Sequence, residues 1–326
     1  AVAAALVGLL LGAGCDDCSA RERVRPIDRD AAAATATTSA VVAPSAPTAS
    51  TSAPVVAPAP RCPPDMVRVA KRYCVDRYEA VLVDVRSGER LSPYYSPSKK
   101  LALYSAKLWQ QKRLTVGDAK ARAMPLPELP LWQRERQAEP KAVARKNMTP
   151  NGHVSGEQAE LACRNAGKRL CTIDEWRIAC MGEREQQFPY GADYEQGRCN
   201  VFRFAHPAMI LHDNPSKGHS DPRLNQVKHK GKPLLRKTGA TPACKSVWED
   251  DGIYDMVGNL DEWVDDSDGM FAGGFYARST KEGCEWASTA HPIHYADYST
   301  GVRCCADLPG VEPLPKPRRD EDESTD

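Results

Sequence analysis

Residues 155–182 read SGEQAELACRNAGKRLCTIDEWRIACMG, and two short helices are legible in them. Ser155 with Gln158 three residues on is a capping box, in which each side chain bonds the other residue's backbone amide. Behind it Ala159, Ala162, Cys163 and Ala166 fall on one helical face, and Gly167 stands where a left-handed residue closes a helix. Thr172 and Glu175 repeat the box, Trp176 and Ala179 share a face, and Gly182 ends the second helix. Elsewhere Gly, Pro and short turn-bounded runs prevail. They predict few long elements, short antiparallel strands such as Arg68 to Val75, and much ordered loop.

Outward from this segment the composition sets the compartment. Residues 1–14, AVAAALVGLLLGAG, are an apolar stretch short for a membrane span, and small residues lead into Cys15. This resembles a lipoprotein signal, so residues 1–15 are expected to be a signal peptide whose Cys15 is lipidated. Residues 16–60 are dominated by Ala, Ser, Thr and Pro without apolar periodicity, the composition of a flexible tether. Residues 310–326 turn Pro-rich and then acidic and are expected to be disordered. Between them, residues 61–309 are long enough for one core, with an insertion at about 85–150.

The net charge is only +1, but it is segregated. Residues 98–150 hold 12 Lys and Arg against 4 Asp and Glu, while residues 249–268 hold nine acids and no base. A basic stretch carrying Trp109 and Trp132 suits a polyanion, but in an exported protein it reads as a solvated insertion facing its own acidic partner; no nucleic-acid partner is expected.

Ten of the 12 cysteines lie between Cys62 and Cys305, an even number in an export context and thus a disulfide framework. Spacing alone leaves on the order of 900 pairings open. The block at 162–182, with FPYG (188–191), CN (199–200), GIYDMVGNLDEWV (252–264), AGGFY (272–276) and GVRCC (301–305), resembles the formylglycine-generating enzyme (sulfatase-modifying factor) family over roughly residues 62–308. The resemblance implies an α+β fold related to the C-type-lectin-like one: short helices, antiparallel strands, rich in loops and stapled by disulfides. It also implies the pairs Cys163–Cys304 and Cys180–Cys284. The remaining cysteines then sort as Cys62–Cys74, Cys171–Cys305 and Cys199–Cys244, with Cys304 and Cys305 interchangeable.

In that family two thiols bind copper and activate oxygen, the first in a Gly-Gly-Ser-x-x-Cys pattern. Here the pattern reads Gly273-Gly274-Phe275-Tyr276-Ala277-Arg278, and the second thiol falls at Gly283, beside Cys284. A guanidinium offers only donors and cannot replace a thiolate ligand, so no copper is expected. The resemblance does imply structural calcium, on Asp255, Gly258, Leu260 and Glu262, with a second site beginning at Asn200 and Val201; oxygen donors around a tight turn suit a hard cation. His206, His212, His219, His229, His291 and His294 are irregularly spaced and read as surface or hydrogen-bonded residues, not ligands. Phe275, Tyr276, Arg278 and Trp286 are expected to form a ligand groove. Two functions follow: an anchored, non-catalytic module binding a peptide, glycan or partner protein, or an oxidoreductase of the formylglycine-generating or non-haem metal kind.

Overall fold

A computed structural model describes residues 61–201, 205–278 and 280–314. The expected signal peptide, Cys15, and the tether to residue 60 lie outside the described residues, as does the tail from 315.

Both capping boxes form. Ser155 caps a helix over Gly156–Arg164 and Thr172 one over Ile173–Met181, with Gln158 and Glu175 reciprocating. The link between them, Arg169–Leu170, is an edge strand of a four-stranded antiparallel sheet whose order is Met66–Val69, Tyr73–Asp76, Cys304–Asp307, Arg169–Leu170. The run from Arg68 to Val75 is therefore a hairpin and not one strand. Its turn places Ala70 and Lys71 at φ 49° and 59°, a conformation these residue types do not announce. A second sheet runs Ala287–Ser288, Phe271–Ala272, Asp261–Trp263, Thr300–Gly301, its last pair parallel. The architecture is α+β.

Bridges join Cys62 to Cys74, Cys163 to Cys304, Cys171 to Cys305, Cys180 to Cys284 and Cys199 to Cys244. Consecutive strand residues point to opposite faces, so Cys304 and Cys305 staple different elements to the two sides of one strand. Cys304 meets the first helix and lies in the core with Trp263 and Phe271; Cys305 lies in the core with Trp176 and Val75.

The insertion builds helices over Lys99–Lys112, Ala119–Ala123 and Leu131–Glu135, and a strand, Pro140–Ala144, paired with Ala80–Asp84. Its Trp109 is buried and donates to Ser220 at 3.1 Å; Trp132 lies under the Arg136 guanidinium. Four acids of the acidic run find their partners outside this insertion, where a partner within it was expected. Glu249 pairs with Arg68, Asp251 with Arg77, Asp261 with Arg278 and Glu262 with Arg303, so each partner comes from elsewhere in the domain. Packing also continues past residue 309, where disorder was expected: Val311 lies against Met66 and Leu308, and Leu314 against the Trp176 core.

Candidate functional site

The strand Asp261–Trp263 divides two polar clusters, because its alternation sends Glu262 to one face and Asp261 to the other. On the Glu262 face every carboxylate accepts a hydrogen bond. The Arg303 fork reaches both carboxylate oxygens at 2.7 and 2.8 Å, and Trp176 Nε1 donates to Oε2 at 2.8 Å. Arg303 also donates to the carbonyls of Asp76 and Tyr254, each at 2.8 Å. Glu79 accepts from Asn259 Nδ2 at 2.6 Å and the Leu260 amide at 3.0 Å, and Asp255 from the Gly239 amide at 2.7 Å. Burial opposes the Arg303 charge, but Glu262, Glu79 and Asp255 outweigh it and hold its pKa above the usual value. Burial, reinforced by Asp255 and Glu262, pushes Glu79 well up; burial also pushes Asp255 up to about 7, against the Gly239 amide and Arg303.

This cluster contains the residues expected to hold calcium, and it joins the two expected sites. Asn200 bridges to Gly258, and its carbonyl accepts the Asn259 amide at 3.0 Å. Gly258 sits at φ 86°, where a Cβ would lie 2.4 Å from that carbonyl and 2.3 Å from Val201, so this contact admits only glycine. The donor chemistry fits a hard cation: oxygens predominate, and three buried carboxylates share one fully buried guanidinium. Arg303 engages both oxygens of Glu262, which leaves Asp255 the less encumbered carboxylate. Among the described residues no group of three or more His, Cys, Asp or Glu converges on a metal position, so an ion here would rest largely on carbonyls such as those of Gly258 and Leu260.

The Asp261 face is built differently. Asp261 is fully buried, meets Arg278 Nη2 at a long 3.4 Å, and leaves Oδ1 without a donor. The Ser299 hydroxyl stands close by, but its proton goes to Asp297 at 2.7 Å. Arg278 Nε and Thr280 Oγ1 are buried and unpaired as well. Both side chains close on Gly274, whose Cβ, if present, would lie 2.5 Å from Thr280 Oγ1 and 3.5 Å from Arg278 Cδ. The guanidinium lies 5.1 Å from the Phe275 ring and 4.6 Å from that of Trp286. Burial pushes the Asp261 carboxyl up to about 7 although Arg278 opposes it; Asp297 adds to the rise.

The expected groove residues separate here. Arg278 and Trp286 are partly accessible, whereas Phe275 and Tyr276 are 7% and 0% exposed and belong to a buried cluster with Leu224 and Tyr298. The Tyr276 hydroxyl donates to Asn225 Oδ1 at 3.0 Å, so it serves packing and not surface recognition. Tyr295 and two of the histidines read as surface or hydrogen-bonded residues complete the surroundings. Tyr295 donates to Asp297 at 2.6 Å, and His219 lies 3.8 Å from Asp297. His206 Nδ1 accepts the Ala208 amide, so in the neutral ring Nε2 carries the proton and faces the Tyr298 hydroxyl at 3.3 Å. Burial, with His219 and Arg278 nearby, lowers the His206 pKa. Both histidines are hydrogen-bonded, as their irregular spacing suggested, but that spacing gave no sign of their meeting, because separate segments bring them together. His212 instead lies against Trp109 and Asp221, and His291 stacks on Tyr295.

Position 283 is equally specific. Gly283 adopts φ 59°, and a Cβ there would lie 2.2 Å from the Gln187 carbonyl, so no side chain fits. Its neighbour Cys284 is fully buried and bonded to Cys180.

With this fold and site in place, residues 114–307 match the model of the sulfatase-modifying factor enzyme 1-like domain, FGE-sulfatase. The chain belongs to that family. It is 29% identical over 116 residues to the inactive C-alpha-formylglycine-generating enzyme 2 of Bos taurus, covering 35% of this chain and 32% of that protein. It is 28% identical over 152 residues to the formylglycine-generating enzyme of Thermomonospora curvata, covering 43% of each. The matches thus span less than half of either relative. Among solved structures, a Major Tropism Determinant P3c variant aligns with 77% of this chain and 54% of its own, at TM-score 0.37 and 12% identity. Five disulfides mark an extracytoplasmic protein, and among the described residues no helix is long and apolar enough to cross a membrane.

Proposed function

We propose that this domain is an anchored extracytoplasmic module that binds a peptide, glycan or partner protein at the Arg278 groove, without thiol chemistry. The observation that carries the reading is the trio Asp261 Oδ1, Arg278 Nε and Thr280 Oγ1. Buried polar atoms are nearly always paired, and three unpaired ones beside a single groove call for a ligand that completes them. The guanidinium against Phe275 and Trp286, the side-chain-free Gly283 and the bonded Cys284 all favour recognition over copper-thiolate oxidation. Lipid on Cys15 and the tether over residues 16–60 would hold the domain off a membrane surface.

A structural calcium ion at Asp255, Glu262 and the carbonyls of Gly258 and Leu260, next to Asn200 and Val201, belongs to the same reading. It is supported by the excess of buried carboxylate over guanidinium, and such an ion would stabilise the folded state alone.

A second reading, an enzyme modifying a protein or small substrate, is favoured by one feature: the Asp261 carboxyl, held near neutrality, shares its surroundings with two histidines. One experiment separates the two. Panels of synthetic peptides and of glycans are tested for binding to the wild-type protein and to Arg278→Ala, while a cysteine peptide is incubated with the wild type, copper and oxygen and assayed for aldehyde. Binding weakened by Arg278→Ala with no aldehyde supports the first reading, and aldehyde formation overturns it.

A further inference from the structure

A cavity of about 550 Å³ lies between the insertion and the loop over residues 225–240, and none of Asp261, Arg278, Glu262 or Arg303 lines it. Tyr94 and Met124 come from the insertion, Lys228, Leu235, Arg236 and Lys237 from the loop. Three of these six are cations, and among the described residues no Asp or Glu lines the space. The volume is typical of small-molecule sites, and its lining combines apolar residues with a few polar ones, of which Lys228 and Lys237 are exposed and Arg236 is half-buried.

Arg236 is built into this wall. The buried Asn259 side chain grips its backbone from both sides, accepting its amide at 2.9 Å and donating to its carbonyl at 3.2 Å. The guanidinium donates to the Thr241 hydroxyl at 2.9 Å and forms no ion pair with any described residue. Burial lowers its pKa, with only Asp255 opposing. A second such cation stands behind the wall. Arg90 donates to the carbonyl of Thr149, which also lines the cavity, while its Nε is buried and unpaired. Burial lowers the Arg90 pKa too, with Tyr94 opposing. Two half-buried guanidinium groups without carboxylates are costly in a structure that pairs Arg68, Arg77, Arg136, Arg169 and Arg303 with acids. An anion entering the cavity would supply the missing charge, and the planar guanidinium suits the two oxygens of an oxyanion.

We propose that this cavity binds a small organic anion, a carboxylate or sulfonate on an apolar body, with the oxyanion at Arg236, Lys228 and Lys237 and the apolar body against Met124 and Leu235. The site is independent of the Arg278 groove and stands whether or not that groove binds a ligand.

The probe is octanoate, titrated calorimetrically into the purified chain, with octan-1-ol as its uncharged counterpart. Saturable one-to-one binding of octanoate is expected, weakening with added salt and about tenfold or more in Arg236→Gln, with octan-1-ol failing to compete. Ala240→Trp, at an exposed position in the lining, places a bulky ring in the space while keeping Arg236, and is expected to weaken octanoate binding about tenfold or more while leaving the melting temperature unchanged. This variant keeps the test decisive should Arg236→Gln fold poorly. Octanoate binding unweakened by Ala240→Trp, equal binding of octan-1-ol, or no saturable binding up to about 10 mM octanoate would overturn the proposal.

Discussion

The two faces of the strand Asp261–Trp263 carry adjacent carboxylates with opposite fates. Glu262 has both oxygens in an Arg303 fork and a bond from Trp176 besides. Asp261, one residue earlier and equally buried, has one long contact to Arg278 and an oxygen without a donor. Burial is the same, so burial does not distinguish them; satisfaction does. A complete buried network fixes one arrangement of the core, whereas an incomplete one costs free energy that the folded state recovers only when something else supplies the missing partners. The Glu262 face reads as architecture, and the Asp261 face is the side proposed to bind a ligand.

The largest expected effect comes from breaking the complete side. Arg303→Met leaves Glu262 and Glu79 without their guanidinium, and removing one partner of a buried pair costs about 3–5 kcal/mol. Urea denaturation should show most or all of the stability gone; a loss under about 1 kcal/mol would mean that the network is not structural. Next, Cys180→Ala with Cys284→Ala releases the loop that carries Trp286 to the groove. A cross-link spanning 104 residues typically contributes about 2–4 kcal/mol, and the double variant should lose that much in the same assay. The proposed calcium ion would lie on the complete side too: chelation is expected to lower the melting temperature of the wild type and to have a smaller effect in Asp255→Asn.

The complete side was far more legible in the sequence than the open one, for physical reasons. Capping boxes are local, so Ser155 with Gln158 and Thr172 with Glu175 announce their helices without reference to the fold. The Gly258 turn and the oxygens beside it are likewise contiguous in GIYDMVGNLDEWV. Glu79 escaped notice because it joins this cluster only through long-range side-chain hydrogen bonds, 180 positions from Asn259. The open side depends on contacts of that kind throughout. Thr280, the adjacent pair Asp297 and Tyr298, His206 and His219 come from four separate segments, and nothing in their spacing predicts their meeting. Phe275 and Tyr276 were misjudged for a related reason: an aromatic pair after Gly-Gly looks the same in sequence whether it faces solvent or the core. The hairpin turn at Ala70 and Lys71 carries none of the Asn or Gly that ordinarily mark left-handed turns.

Asp261→Asn and Arg278→Lys test the open side where stability has little to lose. The folded Asp261 carboxyl titrates near 7 and an unfolded aspartate near 3.9, so between those values the folded state holds a proton that the unfolded state has released. Stability from this group is therefore greatest below about pH 4 and falls as pH rises to about 7, with Arg278 and Asp297 the charged neighbours that set the window. Asp261→Asn should remove that fall, leaving the variant as stable as the wild type or more so at pH 8, read from denaturation midpoints at pH 5 and pH 8. A variant much weaker at pH 8 would place Asp261 among the structural carboxylates and erase the contrast with Glu262. Arg278→Lys should move stability least, by about 1 kcal/mol or less, since it keeps the positive charge and gives up only the planar contact with Phe275 and Trp286. If the open face exists for a ligand, that small change in stability should accompany a clear loss of binding at the groove, because a lysine cannot present the Nε donor now left unpaired. Unchanged binding in Arg278→Lys would show that charge alone is read there, and that the unpaired guanidinium nitrogen is a cost of packing and not a contact in waiting.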